Sequence, residues 1–252
     1  NLSLTRVALS MARRKDLSKI RRVSSRDRTA ISGNSEFTSS RIEDVYGISS
    51  GVLPPSLDPE EFPSSRLEDE SSALFEIDSP YVVTIGRASW AKGTWEAISM
   101  LRGTGFSLAL VGGGEDESID SLIEHAKSCQ VGLWVAPRLE SSDLCSLVKG
   151  AVAVISMAHS EPFGLTPIEA QSLGTPALFV DEGGFRETIS DGVSGRLLPR
   201  DDYSAWHEAL AEAGEADNRS SWSKNGRANI ANMGLNPEVF CKRLEEIFLS
   251  LE

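Results

Sequence analysis

The chain is short of several features that define large protein classes. No apolar run in its 252 residues approaches the roughly 18–20 residues a helix needs to cross a bilayer. The longest, residues 151–158, reads as a buried strand. Cysteine is scarce: Cys129, Cys145 and Cys241 are odd in number, far apart and never spaced C-x-x-C. That pattern speaks against a disulfide framework or a zinc site and fits a reducing compartment. The histidines, His125, His159 and His207, are scattered, with no serine or cysteine nearby of the triad type. There is no internal repeat and no signal-peptide pattern. The first residue is Asn1 in place of an initiator methionine, as expected of a segment cut from a longer protein.

What is present is ordinary for a globular chain, 40% hydrophobic and 25% charged, with length for one large or two small domains. The charge is unevenly spread. Residues 1–30 carry nine basic and two acidic side chains, so that segment is +7 and the remainder −19, for a net −12. An acidic body argues against nucleic acid as the main partner. The basic residues, including Arg13-Arg14-Lys15, Lys19 and Arg21-Arg22, interleave with Leu9, Met11, Leu17, Ile20 and Val23. Two readings stand: a helix face meeting anionic lipid or a negatively charged acceptor, or a solvated or partner-covered face of a truncated domain.

From residue 81 the pattern alternates as in α/β folds. Apolar, β-branched runs at 81–85, 107–111, 133–135, 152–155, 177–180 and 196–198 predict strands. Helical periodicity fills 94–101, 116–129, 142–148, 167–173 and 185–189, and 201–213 and 237–251 read as further helices. The strands are nearly continuous in hydrophobicity, as expected of a parallel sheet with helices on both faces. In such a sheet ligands gather outside the carboxyl ends of the strands. Pro54, Pro55, Pro59 and Pro63, followed by the acidic, serine-rich run 64–72, read as a linker.

Residues 159–169, His-Ser-Glu-Pro-Phe-Gly-Leu-Thr-Pro-Ile-Glu, organise the rest. A strand leads in and a helix leads out, with Gly164 at the bend and Pro167 placed as a first helical residue. Free backbone N–H groups and a helix dipole converge there, which suits a phosphate. Two carboxylates, Glu161 and Glu169, bracket the loop with seven residues between them. Carboxylates beside an anion site make sense if each holds hydroxyls, so the expected ligand is part phosphate and part sugar. Glu161 has no evident capping role. Glu169 has one: Thr166-Pro-Ile-Glu169 is a capping box, with Thr166 as N-cap.

Glu161-x-Phe-Gly-x-x-x-x-Glu169 resembles the E-x7-E motif of retaining glycosyltransferases of the GT-B fold, in particular glycosyltransferase family 4. Gly86-Arg87-x4-Lys92-Gly93 at the end of the first strand resembles the same family's diphosphate clamp. Two cations beside a helix start would neutralise a leaving diphosphate without a metal. No Asp-x-Asp occurs, which argues against the metal-dependent class of glycosyltransferases, and no cofactor or metal is expected. Gly112-Gly113-Gly114 ends the second strand and lacks the third glycine of a dinucleotide fingerprint, because Glu117 stands there. Either ligand approach or a plain tight turn explains it. Ala136-Pro137-Arg138-Leu139 falls where the family places the nucleotide base.

The resemblance implies a division of roles. Arg87 and Lys92 hold the diphosphate, Glu161 the donor sugar and Glu169 the ribose. Backbone N–H groups of Gly164, Leu165 and Thr166 meet the diphosphate, and Gly113, Arg138 and Leu139 lie about the nucleotide. Gly183-Gly184 gives room for the sugar, while Glu187 sits in a first helical turn. His159 lines the loop.

It also implies an organisation: residues 1–50 a remnant of the amino-terminal, acceptor-side domain, 51–78 the linker, and 79–252 the nucleotide-sugar-binding, Rossmann-like domain. Residues 29–57 resemble that amino-terminal domain's last strand–helix–strand. The implied activity is transfer of a hexose from a UDP- or GDP-sugar to an acceptor hydroxyl, in the cytoplasm or at the cytoplasmic face of a membrane. The implied partners are a nucleotide sugar, an acceptor (glycan, lipid or small molecule) and a missing amino-terminal domain or partner chain. Two other classes fit less of the pattern. A non-catalytic nucleotide-sugar-binding scaffold would bind nucleotide without turnover, and a GT-B-shaped epimerase would consume donor with no acceptor present.

Overall fold

A computed structural model describes residues 2–57, 75–78 and 80–251, with side chains from residue 5 onward. The chain separates into two compact units, Asn1–Leu57 with Leu235–Glu252, and Asp58–Gly234. Pro59, Pro63 and the run 64–72 of the expected linker lie outside the described residues.

In the first unit the basic segment is helix α1 (Leu2–Ser24), exposed along nearly its whole length, with Leu17 and Ile20 half-buried. The strand–helix–strand expected over residues 29–57 is present. Strand β1 (Ser32–Gly33) runs parallel to β2 (Gly51–Val52), and α2 (Glu36–Tyr46) joins them. Ser35 caps α2 by accepting the Thr38 N–H at 2.9 Å, and Gly47 ends it in the left-handed conformation that glycine adopts without strain.

The second unit holds, in chain order, β3 (Tyr81–Ile85), α3 (Thr94–Met100), β4 (Ser107–Val111), α4 (Asp116–Cys129), β5 (Leu133–Ala136) and α5 (Ser141–Gly150). There follow β6 (Val154–Ser156), α6 (Leu165–Ser172), β7 (Ala177–Val180), α7 (Phe185–Thr188), β8 (Arg196–Leu198), α8 (Tyr203–Gly214) and α9 (Ala216–Met233). Helix α10 (Pro237–Leu249) returns to the first unit, its start capped by Asn236.

The six strands β3–β8 form one all-parallel sheet in the order β5-β4-β3-β6-β7-β8. Val82, Val83, Leu108, Leu110, Val154, Ile155, Leu178 and Phe179 are wholly buried, which explains the uninterrupted apolar runs of the central strands. Right-handed crossovers put α3 and α4 on one face and α5 and α6 on the other. The sheet grows outward from β3 in one direction, then resumes at β6 on the other side. The adjacency of β3 and β6, through Val83↔Val154, is therefore the point where the winding reverses. The apolar run at 151–158 gives only three residues of strand; Met157 and Ala158 continue as buried loop.

One helix escaped the sequence reading. Helix α9 has eighteen residues but little apolar periodicity, and only Trp222 and Gly226 are buried. Packing holds it instead. Gly226 lies against α6, where a Cβ would press on the Gln171 side chain. Arg219 donates to the carbonyls of Lys149, Ala151 and Val152 at 3.0–3.1 Å, where α5 ends and the chain enters β6. Beside it, the Tyr81 hydroxyl donates to the Leu147 carbonyl at 2.9 Å, and burial raises the Tyr81 phenol above its ordinary value against the lowering pull of the Arg219 cation.

Arg219→Met keeps the aliphatic stem and removes the donors. Charge-assisted hydrogen bonds are worth about 1.5–3 kcal/mol, so the variant should melt roughly 3–10 °C lower. An unchanged melting temperature would show that the α5–β6 junction does not depend on this side chain.

Candidate functional site

The loops at the carboxyl ends of the strands are stitched to one another by their backbones. Gly86 N–H donates to the Val111 carbonyl at 2.8 Å, Ala88 N–H to Gly113 at 2.6 Å and Gly112 N–H to Ala136 at 3.0 Å. The glycines of Gly112-Gly113-Gly114 serve this stitching. A Cβ at Gly112 would press on the Gly86 backbone, one at Gly113 would meet Pro137 and one at Gly114 would meet Ala88. The room that glycine provides is thus taken by neighbouring loops of the protein. Arg138 is exposed beyond Pro137, and Leu139 packs on the core.

At the reversal of the sheet, the loop after β3 meets the loop after β6. Gly93 sits at φ +65° with its α-carbon so close to the Met157 carbonyl that any Cβ would overlap it. His159 N–H donates to the Ala91 carbonyl at 2.8 Å. The His159 ring stacks on Trp90 with centroids 4.3 Å apart, and its Nε2 lies 3.1 Å from Glu96 Oε1. The other Glu96 oxygen is buried with no hydrogen-bond partner among the described residues. This apposition brings together two residues sixty-nine positions apart: Lys92 Nζ is 2.8 Å from Glu161 Oε2. Glu161 therefore has a structural partner that the sequence reading did not find. Arg87 is exposed and makes no ion pair among the described residues.

The helix after this loop starts earlier than expected. Gly164, at φ +92°, is the N-cap of α6, Leu165 is the first helical residue and Pro167 the third. Thr166 is thus inside the helix and cannot cap it, so the capping-box reading of Thr166 and Glu169 is corrected. Proline tolerates any of the first helical positions because those N–H groups have no intrahelical acceptor. Leu165 is exposed, while Thr166 and Glu169 are half-buried on α6. Gly183 and Gly184, read as room for a sugar, are filled by the protein itself. A Cβ on either would strike the backbone of Glu161, Pro162 or Phe163, and Gly184 N–H donates to the Glu161 carbonyl at 2.8 Å. Glu187 does stand in the first turn of α7.

Sequence reasoning missed Arg200, which anchors this loop from below. Its Nε and one terminal nitrogen hold both oxygens of Glu182 at 2.9 and 2.8 Å. The guanidinium also donates to the carbonyls of Met157 and Ala158 at 2.6 and 3.3 Å. Nothing in Pro199-Arg200-Asp201-Asp202 signals this, since the partners lie eighteen and more than forty residues away. Hydrogen bonds from Arg200 hold the Glu182 carboxyl below its ordinary value despite burial, with the Ser160 backbone and the His159 charge adding to the effect.

The geometry offers a cation at Lys92, a second at Arg87 on the same loop, a carboxylate at Glu161 and a glycine-capped helix start, all at the winding reversal of a parallel sheet. That set can hold an anion and hydroxyl groups side by side. Because the folded pKa of Glu182 is lowered, its contribution is full above the unfolded carboxylate value and fades as pH falls through the folded one. Arg200→Met should therefore lower the melting temperature most near neutral pH, with the gap to the parent narrowing below about pH 4.3. A gap that is constant with pH would separate Arg200 from Glu182.

The sequence profile of the family described as glycosyl transferases group 1 matches residues 65–229. D-inositol 3-phosphate glycosyltransferase from Paenarthrobacter aurescens (strain TC1) is 31% identical over 172 residues, covering 64% of this chain and 42% of that protein. Glycogen synthase from Mycobacterium tuberculosis (strain ATCC 25618 / H37Rv) is 33% identical over 123 residues, 46% of this chain and 30% of that protein. The chain thus spans less than half the length of these curated relatives. Among solved structures, sucrose-phosphate synthase from Thermosynechococcus elongatus superposes with a TM-score of 0.74 at 20% identity, over 88% of this chain and 58% of that one. Anabaena Alr3699/HepE in complex with UDP and glucose gives 0.74 at 18% identity, over 88% and 63%. These structural likenesses agree with the GT-B type of parallel sheet. With the profile covering well over half of its residues, the chain belongs to the glycosyl transferases group 1 family.

Proposed function

We propose that this chain is the donor-binding half of a retaining, family 4 glycosyltransferase that moves a hexose from a UDP- or GDP-sugar to an acceptor hydroxyl. The observation that carries the reading is the 2.8 Å pair between Lys92 and Glu161 at the winding reversal. A partly exposed ion pair is worth at most about 1 kcal/mol, so exchanging its partners costs little. A diphosphate draws the Lys92 ammonium to itself, and Glu161 then accepts hydrogen bonds from the sugar hydroxyls. Arg87 supplies the second cation, and the N–H groups of Gly164, Leu165 and Thr166 add the positive end of the α6 dipole. Charge building on the departing diphosphate meets these fixed donors, and holding the donor in place supplies the remaining advantage.

Glu169 grips the ribose hydroxyls, and Gly113, Arg138 and Leu139 flank the base. The two cations take the charge a metal would otherwise neutralise. Retention is carried by the resemblance of the Glu161–Glu169 pair to the family pattern. A UDP-type donor agrees with the UDP and glucose named for the Anabaena structure. In the whole protein, residues 1–50 belong to the acceptor-side domain, which strand β2 and the residues to Leu57 complete before the chain passes to the donor domain. Helix α1 presents its cations either to an anionic surface on the cytoplasmic side or to the remainder of the acceptor-side domain.

The direct test is the melting temperature with UDP, GDP and ADP, each with and without EDTA. A ligand at 100 times its dissociation constant stabilises by about 2.7 kcal/mol, a shift of roughly 5–10 °C. One nucleotide should give the shift and EDTA should leave it unchanged; silence from all three sinks the donor-site reading. Lys92→Ala should weaken diphosphate binding about 10–100-fold and leave nucleoside binding unchanged. Equal binding of the diphosphate by variant and parent removes Lys92 from the clamp.

A further inference from the structure

Beside the reversal lies a second feature that the donor reading leaves unused. Two tryptophans on the surface, Trp90 and Trp95, line one open cavity of about 370 Å³ between the loop after β3, α3 and the first half of α4. That volume falls at the lower end of the range for small-ligand pockets, about 300–1,000 Å³. Each indole is braced by an imidazole. Trp90 stacks on His159 at 4.3 Å and 10°, and Trp95 on His125 at 3.7 Å and 8°. His125 is itself fixed by Ser99 Oγ at 2.8 Å and the Trp95 carbonyl at 3.2 Å. Trp90 is nevertheless 73% exposed and Trp95 47%. A ring with one face covered and so much surface open presents its other face to solvent. Two rigid aromatic surfaces lining one cavity offer a ligand apolar area whose burial is favourable.

The rest of the lining says what that ligand is. Across from the indoles stand Glu117, Ser118 and Ser121 of α4, and Ser89 joins them from the loop. No lysine or arginine lines the cavity, and the first turn of α4 is acidic, with Asp116 and Glu117. A phosphate, a nucleotide or an acidic peptide would meet the Glu117 carboxylate with no lysine or arginine in the lining to hold it. A neutral pyranose fits both halves. Its axial C–H face lies on an indole as other apolar faces do, while its hydroxyls donate to the carboxylate and exchange hydrogen bonds with the serines.

We infer that the Trp90–Trp95 cavity is a subsite for a neutral saccharide on the donor-side unit. Trp90 lies two residues before Lys92 and stacks on His159, two residues before Glu161, so the cavity adjoins the clamp through one side chain. The saccharide subsite stands independently of the donor-site proposal.

The test is a titration of the 252-residue chain with neutral disaccharides (maltose, cellobiose, lactose and mannobiose), following the indole N–H signals by NMR, with UDP and GDP as separate arms. At least one sugar should move the Trp90 and Trp95 signals and leave those of Trp206 and Trp222, which are buried elsewhere, in place. Trp95→Ala should weaken that sugar about tenfold or more while UDP or GDP still raises the melting temperature. Because Trp95 also braces His125, Trp90→Ala provides a second variant on an exposed loop, with the same expected loss. The subsite is overturned if no sugar moves these indoles, if nucleotides alone move the Trp95 signal, or if both variants bind sugar as the parent does. Sugar binding with no nucleotide response keeps the subsite and removes the donor reading; the reverse keeps the donor reading and removes the subsite.

Discussion

Strand β3 has β4 on one side and β6 on the other, and the contacts of the candidate site depend on that adjacency. A sheet wound outward from β3 must return across its face before β6 can pair, and the two loops leaving β3 and β6 then have no crossover helix between them. Gly93 against the Met157 carbonyl fixes how closely those loops approach. The approach in turn sets Lys92 on Glu161 and Trp90 on His159. A side chain at position 93 would force the loops apart and dissolve both contacts together.

The support beneath the site is polar and distant in sequence. Arg200 binds a carboxylate and two carbonyls on one side of the 157–164 loop, while Arg219 binds three carbonyls where the chain enters β6. Arg200 satisfies carbonyls just after the short strand β6, and Arg219 satisfies those at the end of α5 and in the segment before β6. The short strand is what allows a long loop at this place, and the arginines are what hold it in one conformation.

Around this frame charge is divided. The clamp loop carries Arg87 and Lys92, whereas the nearby start of α4 carries Asp116 and Glu117. On the readings proposed above, an anion is drawn to one side and a neutral hydroxylated ring to the other. Such separation of sign among neighbouring loops is a physical basis for telling a charged ligand from a neutral one.

Much of this was legible in the residues. Continuous apolar strands, helical periodicity between them and turn residues at their ends determined a parallel α/β sheet, with most boundaries within two or three residues of those observed. The order of Gly86-Arg87, Lys92-Gly93, Glu161 and Glu169 along the chain pointed to the loops after β3 and β6, which the fold brings together. Local pattern failed where stability came from elsewhere. Helix α9 has almost no apolar stripe and is held by α6 and Arg219; α6 starts at a glycine, although Thr166 offered a better side-chain cap; and the glycines after β4 and β7 yield space to other loops. The Lys92–Glu161 pair, the arginine anchors and the paired tryptophans were decided only by tertiary structure. Their partners lie tens of residues apart, and only the winding of the sheet, which no local periodicity encodes, brings them within bonding distance.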